Sequence, residues 1–410
     1  MKTAEKSNIP VNASDAAVRV ELTEQQWTIL QQARGLGERY LGPAAWQVDQ
    51  DARYPHEAIH SLIEAGLTSI TVPTNAGGLG AGFGGDVLLL PLVLMELAAW
   101  CSSASQVFTL HNTGVQLVHA LGNSEQQSYF FDQVAGEGKL FASFGSEAGA
   151  DRFKLGSELA AVEGGFCMNG TKIFATGSTG AKWAIWRSVR SDIEGTQEER
   201  FTMPIVDLAA AGVTVIDDWD GIGQRGTGSG TVKAENVFVP NEHVIGSSGE
   251  FSRVQDFFNI QFHIHFAAQY VGIAAGALRD ALVYVKEKSR SWTVGAAAAD
   301  DPAIQLRIGE MDAKLAAARQ LVLRAARLLQ AAQDNSDLYA SAALASSQAK
   351  VVATSVSLEI TSDVFQLMGA RAATRKYGFD RYFRNARTLT LHDPVDKQRE
   401  LLGKSALRDE

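Results

Sequence analysis

The sequence predicts an α+β protein in three parts: an N-terminal helical domain over 1–139, a middle β domain over 140–246 and a C-terminal helical domain over 247–410. Two observations carry that prediction. Apolar residues recur with helical spacing up to about residue 138 and again from about 251, while the stretch between them alternates and is broken by Gly, Asp and Pro. A chain of 410 residues also exceeds one ordinary core, so a division into lobes follows.

Thr23, with Gln26 three residues on, forms a capping-box start for a helix through Trp27, Leu30 and Ala33. Pro55 opens the next helix and Gly66 closes it. LTSITVPTNAGGLGAGFGG reads as a short apolar run and a glycine-rich loop, and the helical period resumes from Val87 to Trp100. In the β domain, GGFCMNGTKIFATGS sets Asn169-Gly170 between two strand-like runs, the signature of a type I′ hairpin turn. GVTVIDDWDG and TVKAENVFVP supply further strands. Beyond them, Val271, Ala275, Leu278, Leu282 and Val285 mark one helical stripe. Met311, Leu315, Val322 and Leu329 mark a second, and Val352, Val356, Ile360 and Val364 a third. A shorter helix follows Pro394, and abundant alanine allows these helices to pack closely, as in a bundle.

Composition narrows the function. The chain is 46% hydrophobic and 20% charged with a net charge of -9, which gives no basic field for a nucleic-acid backbone. Cys101 and Cys167 lie in unrelated segments, so neither a disulfide framework nor a zinc site is expected. His263 and His265 are spaced i, i+2 on a helical stretch, which does not suit joint ligation, and no metal is expected. With no leader-like apolar region and no run of about 20 apolar residues, the sequence predicts a soluble cytoplasmic protein without membrane partners.

Several motifs, in order along nearly the whole chain, resemble the acyl-CoA dehydrogenase family. YPHEAIHSLIEAGLTSITVPTNAGGLG resembles its N-terminal helix and glycine loop. GIGQRGTGSGTVKAENVFVP resembles its central β segment, and FQLMGARAATRKYGFDRYFRNAR its last long helix and the arm beyond. The resemblance implies an acyl-CoA dehydrogenase-like fold, with an N-terminal helical domain, a barrel-like middle domain and a C-terminal four-helix bundle. One departure decides the branch. After Arg384, Asn385, Ala386 and Arg387, where dehydrogenases carry the Glu that takes the substrate α-proton, this chain reads Leu391, His392, Asp393, Pro394. That turn is similar to the one in two-component, group D flavin-dependent monooxygenases built on this fold.

The same resemblance implies site residues. Phe174 and Thr176, in KIFATG, match an aromatic that packs at the flavin ring and a hydroxyl that bonds near N5. Ser143 and Ser146, in FASFGSEAG, match a loop laid along the flavin. Arg290, in EKSRSWT, matches an arginine reaching flavin phosphate across a subunit interface, with Gln366, Gly369 and Arg371 in the matching position on the last long helix. Arginine suits phosphate because its planar fork grips two oxygens and stays charged. The plainer reading is a solvated helix end. His392 is the leading catalytic candidate, because an imidazole titrates near neutrality and can pass protons; its plainer reading is a cap on the turn before Pro394. His111, in VFTLHNTG, matches a second imidazole near the flavin, or is an exposed helical histidine. His263 is assigned to the lining of the substrate pocket.

These assignments imply a monooxygenase that takes reduced FMN from a separate NAD(P)H-flavin reductase, with FAD as an alternative cofactor. Oxygen would add at flavin C4a, and one atom would pass to a small organosulfur or amine substrate, assisted by Thr176, His111 and His392. An arginine acting in trans requires at least a dimer, and the resemblance implies a homotetramer. Two rival readings stand beside this one: an acyl-CoA dehydrogenase or nitroalkane-type oxidase with FAD and Asp393 as base, and a catalytically silent flavin-fold binding protein.

Overall fold

The computed structural model describes residues 18–149, 154–291 and 295–408. The chain opens with α1 (Glu24–Leu36), where Thr23 and Gln26 complete the capping box that the sequence predicts. A π-helical turn, Gly37–Leu41, joins it to α2 (Gly42–Asp51). Trp100 lies against that turn so closely that a Cβ on Gly37 would collide with its ring. α3 (His56–Glu64) starts after Pro55, and Gly66 follows its end with φ +71°, a left-handed conformation that glycine adopts without strain. Then come α4 (Leu89–Trp100), buried along nearly its whole length, α5 (Ser102–Leu121) and α6 (Ser124–Ala135).

Among the described residues, the middle region forms one nine-stranded sheet. Its strands are β1 (Phe141–Phe144), β2 (Glu158–Val162), β3 (Gly165–Lys172), β4 (Trp183–Trp186), β5 (Ser188–Arg190), β6 (Phe201–Asp207), β7 (Val213–Ile216), β8 (Thr231–Pro240) and β9 (Val244–Ile245), with a short helix α7 (Gln197–Arg200) before β6. The order is β1-β4-β6-β5-β2-β3-β8-β7, and β9 pairs with β6. The predicted hairpin turn at Asn169-Gly170 is not there. β2 and β3 turn instead at Glu163 and Gly164, and β3 runs straight through Asn169-Gly170 with a bulge against β8. The physical reason is tertiary: a Cβ on Gly170 would collide with Ser157 Oγ, and Asn169 Oδ1 accepts the Asn236 N–H at 2.8 Å.

Three long helices, α8 (Gln255–Glu287), α9 (Pro302–Asp334) and α10 (Tyr339–Met368), form the C-terminal bundle, with α11 (Asp380–Leu389) and α12 (Val395–Ala406) packed on it. The two helical regions share one apolar core. α8 crosses α4 at backbone contact, where Cβ atoms on Gly272 and Gly276 would collide with the carbonyls of Met95 and Ala99. A smaller core, with Phe144, Met168, Trp186 and Val237, lies inside the sheet. No helix among the described residues is long and apolar enough to cross a membrane.

Candidate active site

A cavity of about 370 Å³ opens where the three regions meet. α5 contributes Gln106, the loop after β1 contributes Ser146, and the segment after β3 contributes Phe174 and Thr176. The loop before β8 supplies Trp219, Gln224, Thr227 and Ser229, and the end of α11 supplies Thr388, Leu389, Leu391 and His392. That volume lies within the range of small-molecule sites.

Phe174 is held in an uncommon conformation. Its φ is +53° and its ring is 60% exposed, edge-on to Trp219 with centroids 5.9 Å apart. A non-glycine residue there costs on the order of 1–3 kcal/mol and persists only where neighbours fix it. The Ile173 N–H to Ser146 O and the Ala175 N–H to Gly230 O, both 3.0 Å, do so. Gln224 shares the strain, with φ +53°. Its N–H donates to Asn385 Oδ1 at 2.7 Å, Arg384 Nη1 donates to Ile222 O at 2.9 Å, and Arg384 is anchored on Asp49 at 2.5 Å. The Arg384-Asn385 run thus clamps the loop that carries Gln224.

A chain of hydroxyls crosses the floor. Thr176 Oγ1 and Ser229 Oγ are 2.8 Å apart, Ser229 and Thr227 hydroxyls 2.6 Å, and Thr227 Oγ1 donates to Gln224 O at 2.8 Å. Three polar atoms of the lining, Gln106 Oε1, Gln224 Oε1 and Thr388 Oγ1, are buried without a partner. Buried polar atoms left open at a cavity are places for a ligand's own donors and acceptors. A planar heteroaromatic ring edged with carbonyls and N–H groups, as in a flavin, fits that lining and the aromatic edge of Phe174 and Trp219.

His392 is solvent-accessible and lines the cavity. Its ring packs on Phe266 and Phe262 of α8, with centroids 4.5 and 5.3 Å away. Burial, with the charge of Lys350 second, pushes its pKa down to about 4, so it is neutral at pH 7 and does not titrate near neutrality as the sequence suggests. Asp393 does not line the cavity. Its Oδ2 accepts from Lys350 Nζ at 2.5 Å and lies 3.2 Å from His263 Nε2. Burial alone would raise this carboxyl, but those two partners outweigh it and hold it well below the usual carboxylate range.

The structure gathers Phe174, Thr176, Ser146 and His392 around one cavity and leaves the other predicted residues outside it. His111 is buried against backbone: Nε2 lies 2.7 Å from Thr68 O and Nδ1 accepts the Phe141 N–H at 3.0 Å. Both nitrogens are occupied, burial lowers its pKa to about 4, and it ties α5 to β1 instead of serving the cavity. Gln106, five residues earlier on α5, takes that helix's place at the site. Ser143 is half-buried in β1 and paired with Ile185. His263 belongs to a second cavity, with Tyr339 and Gln398, where it partners Asp393. Arg290, Gln366, Gly369 and Arg371 are exposed at one end of the bundle, where Ser289 Oγ bonds Leu367 O at 3.3 Å. Neither arginine forms an ion pair with a described residue. Trp219, Gln224, Thr227 and Ser229 were missed by sequence reasoning. The glycine density of GIGQRGTGSG, which brings this loop against Arg384 and Thr179, was the signal that pointed to them.

Models of the acyl-CoA dehydrogenase N-terminal and C-terminal domains match residues 23–137 and 264–397. The chain belongs to the flavin-dependent monooxygenases built on the acyl-CoA dehydrogenase fold. It is 32% identical over 390 residues to dibenzothiophene monooxygenase of Rhodococcus qingshengii, with 92% of each chain covered. Among solved structures it is similar to FMN-bound TdsC from Paenibacillus sp. A11-2, with TM-score 0.86 and 27% identity over 92% of this chain and 96% of that one. It also resembles methanesulfinate monooxygenase MsuC from Pseudomonas fluorescens, with TM-score 0.82 and 29% identity over 94% and 97%.

Proposed function

We propose that this chain is the oxygenase of a two-component system that uses reduced FMN, delivered by a separate NAD(P)H-flavin reductase, and O2 to oxygenate the sulfur of a small organosulfur compound. Bound reduced FMN would supply two electrons and the activation of O2. The relatives named for dibenzothiophene and methanesulfinate oxygenation, and the FMN in TdsC, support both sulfur and FMN. The observation that carries the reading is the state of the Leu391-His392-Asp393 turn. Its histidine lines the cavity in neutral form, while its carboxylate is ion-paired to Lys350, with His263 Nε2 3.2 Å away, outside the lining. A dehydrogenase base needs a free carboxylate at the substrate; here that position is held by an imidazole.

The chain's own residues would divide the work as follows. Thr176 would offer its hydroxyl oxygen to the ring edge as an acceptor, because Thr227 donates to Gln224 O and the chain through Ser229 takes up the Thr176 proton. Phe174, Trp219, Leu389 and Leu391 exclude water from the reacting face. His392, as a neutral imidazole, donates its N–H to negative charge that develops on the departing oxygen. Arg290 and Arg371 hold the phosphate in an assembled oligomer, a homotetramer by analogy. The test supplies the protein with enzymatically reduced FMN, O2 and a panel of sulfides, sulfinates, sulfones, thiophenes and amines. A sulfur compound gaining one oxygen by mass is expected. Uncoupled peroxide release with no product from any of them would overturn the reading.

A further inference from the structure

Arg187 occupies the break between β4 and β5, and its backbone is fixed on both sides. Its N–H donates to Phe144 O at 3.1 Å, and its carbonyl accepts from Lys172 Nζ at 2.6 Å. The side chain runs over Gly145, where a Cβ would lie 3.5 Å from Cδ and 3.7 Å from Nη1, next to the cavity residue Ser146. The guanidinium sits 5.9 Å from the centroid of Phe251. It donates no hydrogen bond and makes no ion pair with any described residue. The other cations of this neighbourhood are all matched: Lys172 with Glu147 at 2.6 Å and Lys350 with Asp393 at 2.5 Å. Arg187 is deeply placed, so that burial lowers its pKa, yet part of its surface stays open. It is also close enough to His392 for its charge to act on that imidazole. A buried guanidinium without a counter-charge is costly, and planar, fixed donors of this kind suit a bidentate oxyanion.

We propose that Arg187 is the substrate-binding and specificity-determining residue of this site, and that the substrate is an organic sulfinate whose oxyanion it grips beside His392. The proposal rests on the monooxygenase reading above and narrows it. The side chain's place over Gly145, beside Ser146 of the small cavity that His392 also lines, would bring the substrate's negative charge into the reacting cavity, which disfavours a neutral thiophene or a sulfide whose charge lies at a distant end. A sulfonate carries the charge but has no lone pair on sulfur. A sulfinate has both on one atom. The sulfur lone pair forms the new S–O bond with one atom of O2, and the sulfinate is oxidised to the sulfonate. The other oxygen leaves as water with the two hydrogens of reduced FMN, which becomes FMN; O2 thereby takes two electrons from sulfur and two from the flavin.

The experiment measures binding first. Calorimetric affinities for methanesulfinate, benzenesulfinate, methanesulfonate and dibenzothiophene are compared in FMN-loaded wild type, Arg187→Gln and Arg187→Lys under anaerobic conditions, alongside FMN affinity by flavin fluorescence. Both sulfinates are expected to bind the wild type and to lose roughly 10- to 100-fold in Arg187→Gln, the scale of a charged hydrogen-bonded contact. Arg187→Lys should recover part of that loss, and FMN affinity should stay within about twofold in all three. Under turnover the loss should appear in KM, with methanesulfonate competing against sulfinate. Equal sulfinate affinity in Arg187→Gln overturns the proposal, as does a loss confined to FMN or wild-type binding of dibenzothiophene alone. If the Gln variant fails to fold, absence of sulfonate competition in the wild type overturns it. Arg187-dependent sulfinate binding with no oxygenation of any sulfur compound would uphold the anion site and sink the monooxygenase reading.

Discussion

Replacing Asp393 with alanine separates a structural carboxylate from a catalytic one. Lys350 is 1% exposed and reaches one carboxylate oxygen, Asp393 Oδ2 at 2.5 Å, while His263 meets the same atom at 3.2 Å. Removing the acid strands a buried ammonium, which typically costs about 3–5 kcal/mol. Asp393 is itself 23% exposed, so water can enter the vacated space, and the loss should fall near the lower end, about 3 kcal/mol. Adding Lys350→Met removes the stranded charge and should restore most of that loss, a coupling of about 2 kcal/mol in a double-mutant cycle. Urea unfolding followed by circular dichroism gives all four corners of the cycle. The competing role, a base that takes a proton from carbon, predicts the reverse pattern: a small change in stability and rapid bleaching of bound oxidised flavin by acyl-CoA that Asp393→Asn abolishes. Seeing that pattern would refute the ion-pair argument and restore the dehydrogenase reading.

Three further outcomes follow. His392→Ala should keep FMN affinity within a few-fold, cut oxygenated product by about 100-fold or more and raise free hydrogen peroxide; unchanged product yield removes His392 from the mechanism. Arg290→Ala and Arg371→Ala should each weaken FMN binding by about 1.5–3 kcal/mol without unfolding the protein. Mixing the two variants under subunit exchange should regenerate some intact sites, and no recovery after proven exchange would exclude a shared interfacial phosphate site. His111 and His265 are buried with pKa values pushed down by burial to about 4 and about 3. The unfolded chain therefore binds protons that the folded chain refuses, so their contribution is complete above about pH 6.5 and falls as pH drops toward those values, by about 1.4 kcal/mol per pH unit for each. His265 Nε2 has no partner, so His265→Leu should reduce that slope by one proton in urea titrations between pH 4.5 and 6; an unaltered slope contradicts the assignment.

What was legible in the sequence was local. Thr23 and Gln26 satisfy each other within one turn, and the stripe of Val271, Leu278 and Val285 is buried because spacing alone puts those residues on one face. Asn169-Gly170 was misread because the hairpin signal is also local, whereas the demand for a glycine there comes from Ser157 across the sheet. His111 failed for a geometric reason. It lies five residues after Gln106, roughly 140° further around α5, so the two cannot face the same cavity, and only packing decides which one does.

Phe174, Thr176, Ser146 and His392 line one cavity: His392 is fixed locally, by its N–H on Leu389 O, whereas the strand segment with Phe174 and Thr176 is fixed across the chain, by Ile173 N–H on Ser146 O and Ala175 N–H on Gly230 O. The electrostatics were not legible, because every pairing spans distance in the chain: Lys172 to Glu147, Lys350 to Asp393 and Arg384 to Asp49 are separated by 25, 43 and 335 residues. From the sequence, Asp393 next to His392 reads as a catalytic pair. In three dimensions Lys350 and His263 claim the carboxylate, and the imidazole is left neutral against Phe262 and Phe266. That assignment of partners also exposes Arg187. Among the described residues its charge goes unmatched, because the neighbouring carboxylates are committed elsewhere, and a counter-charge brought by the substrate would balance the site.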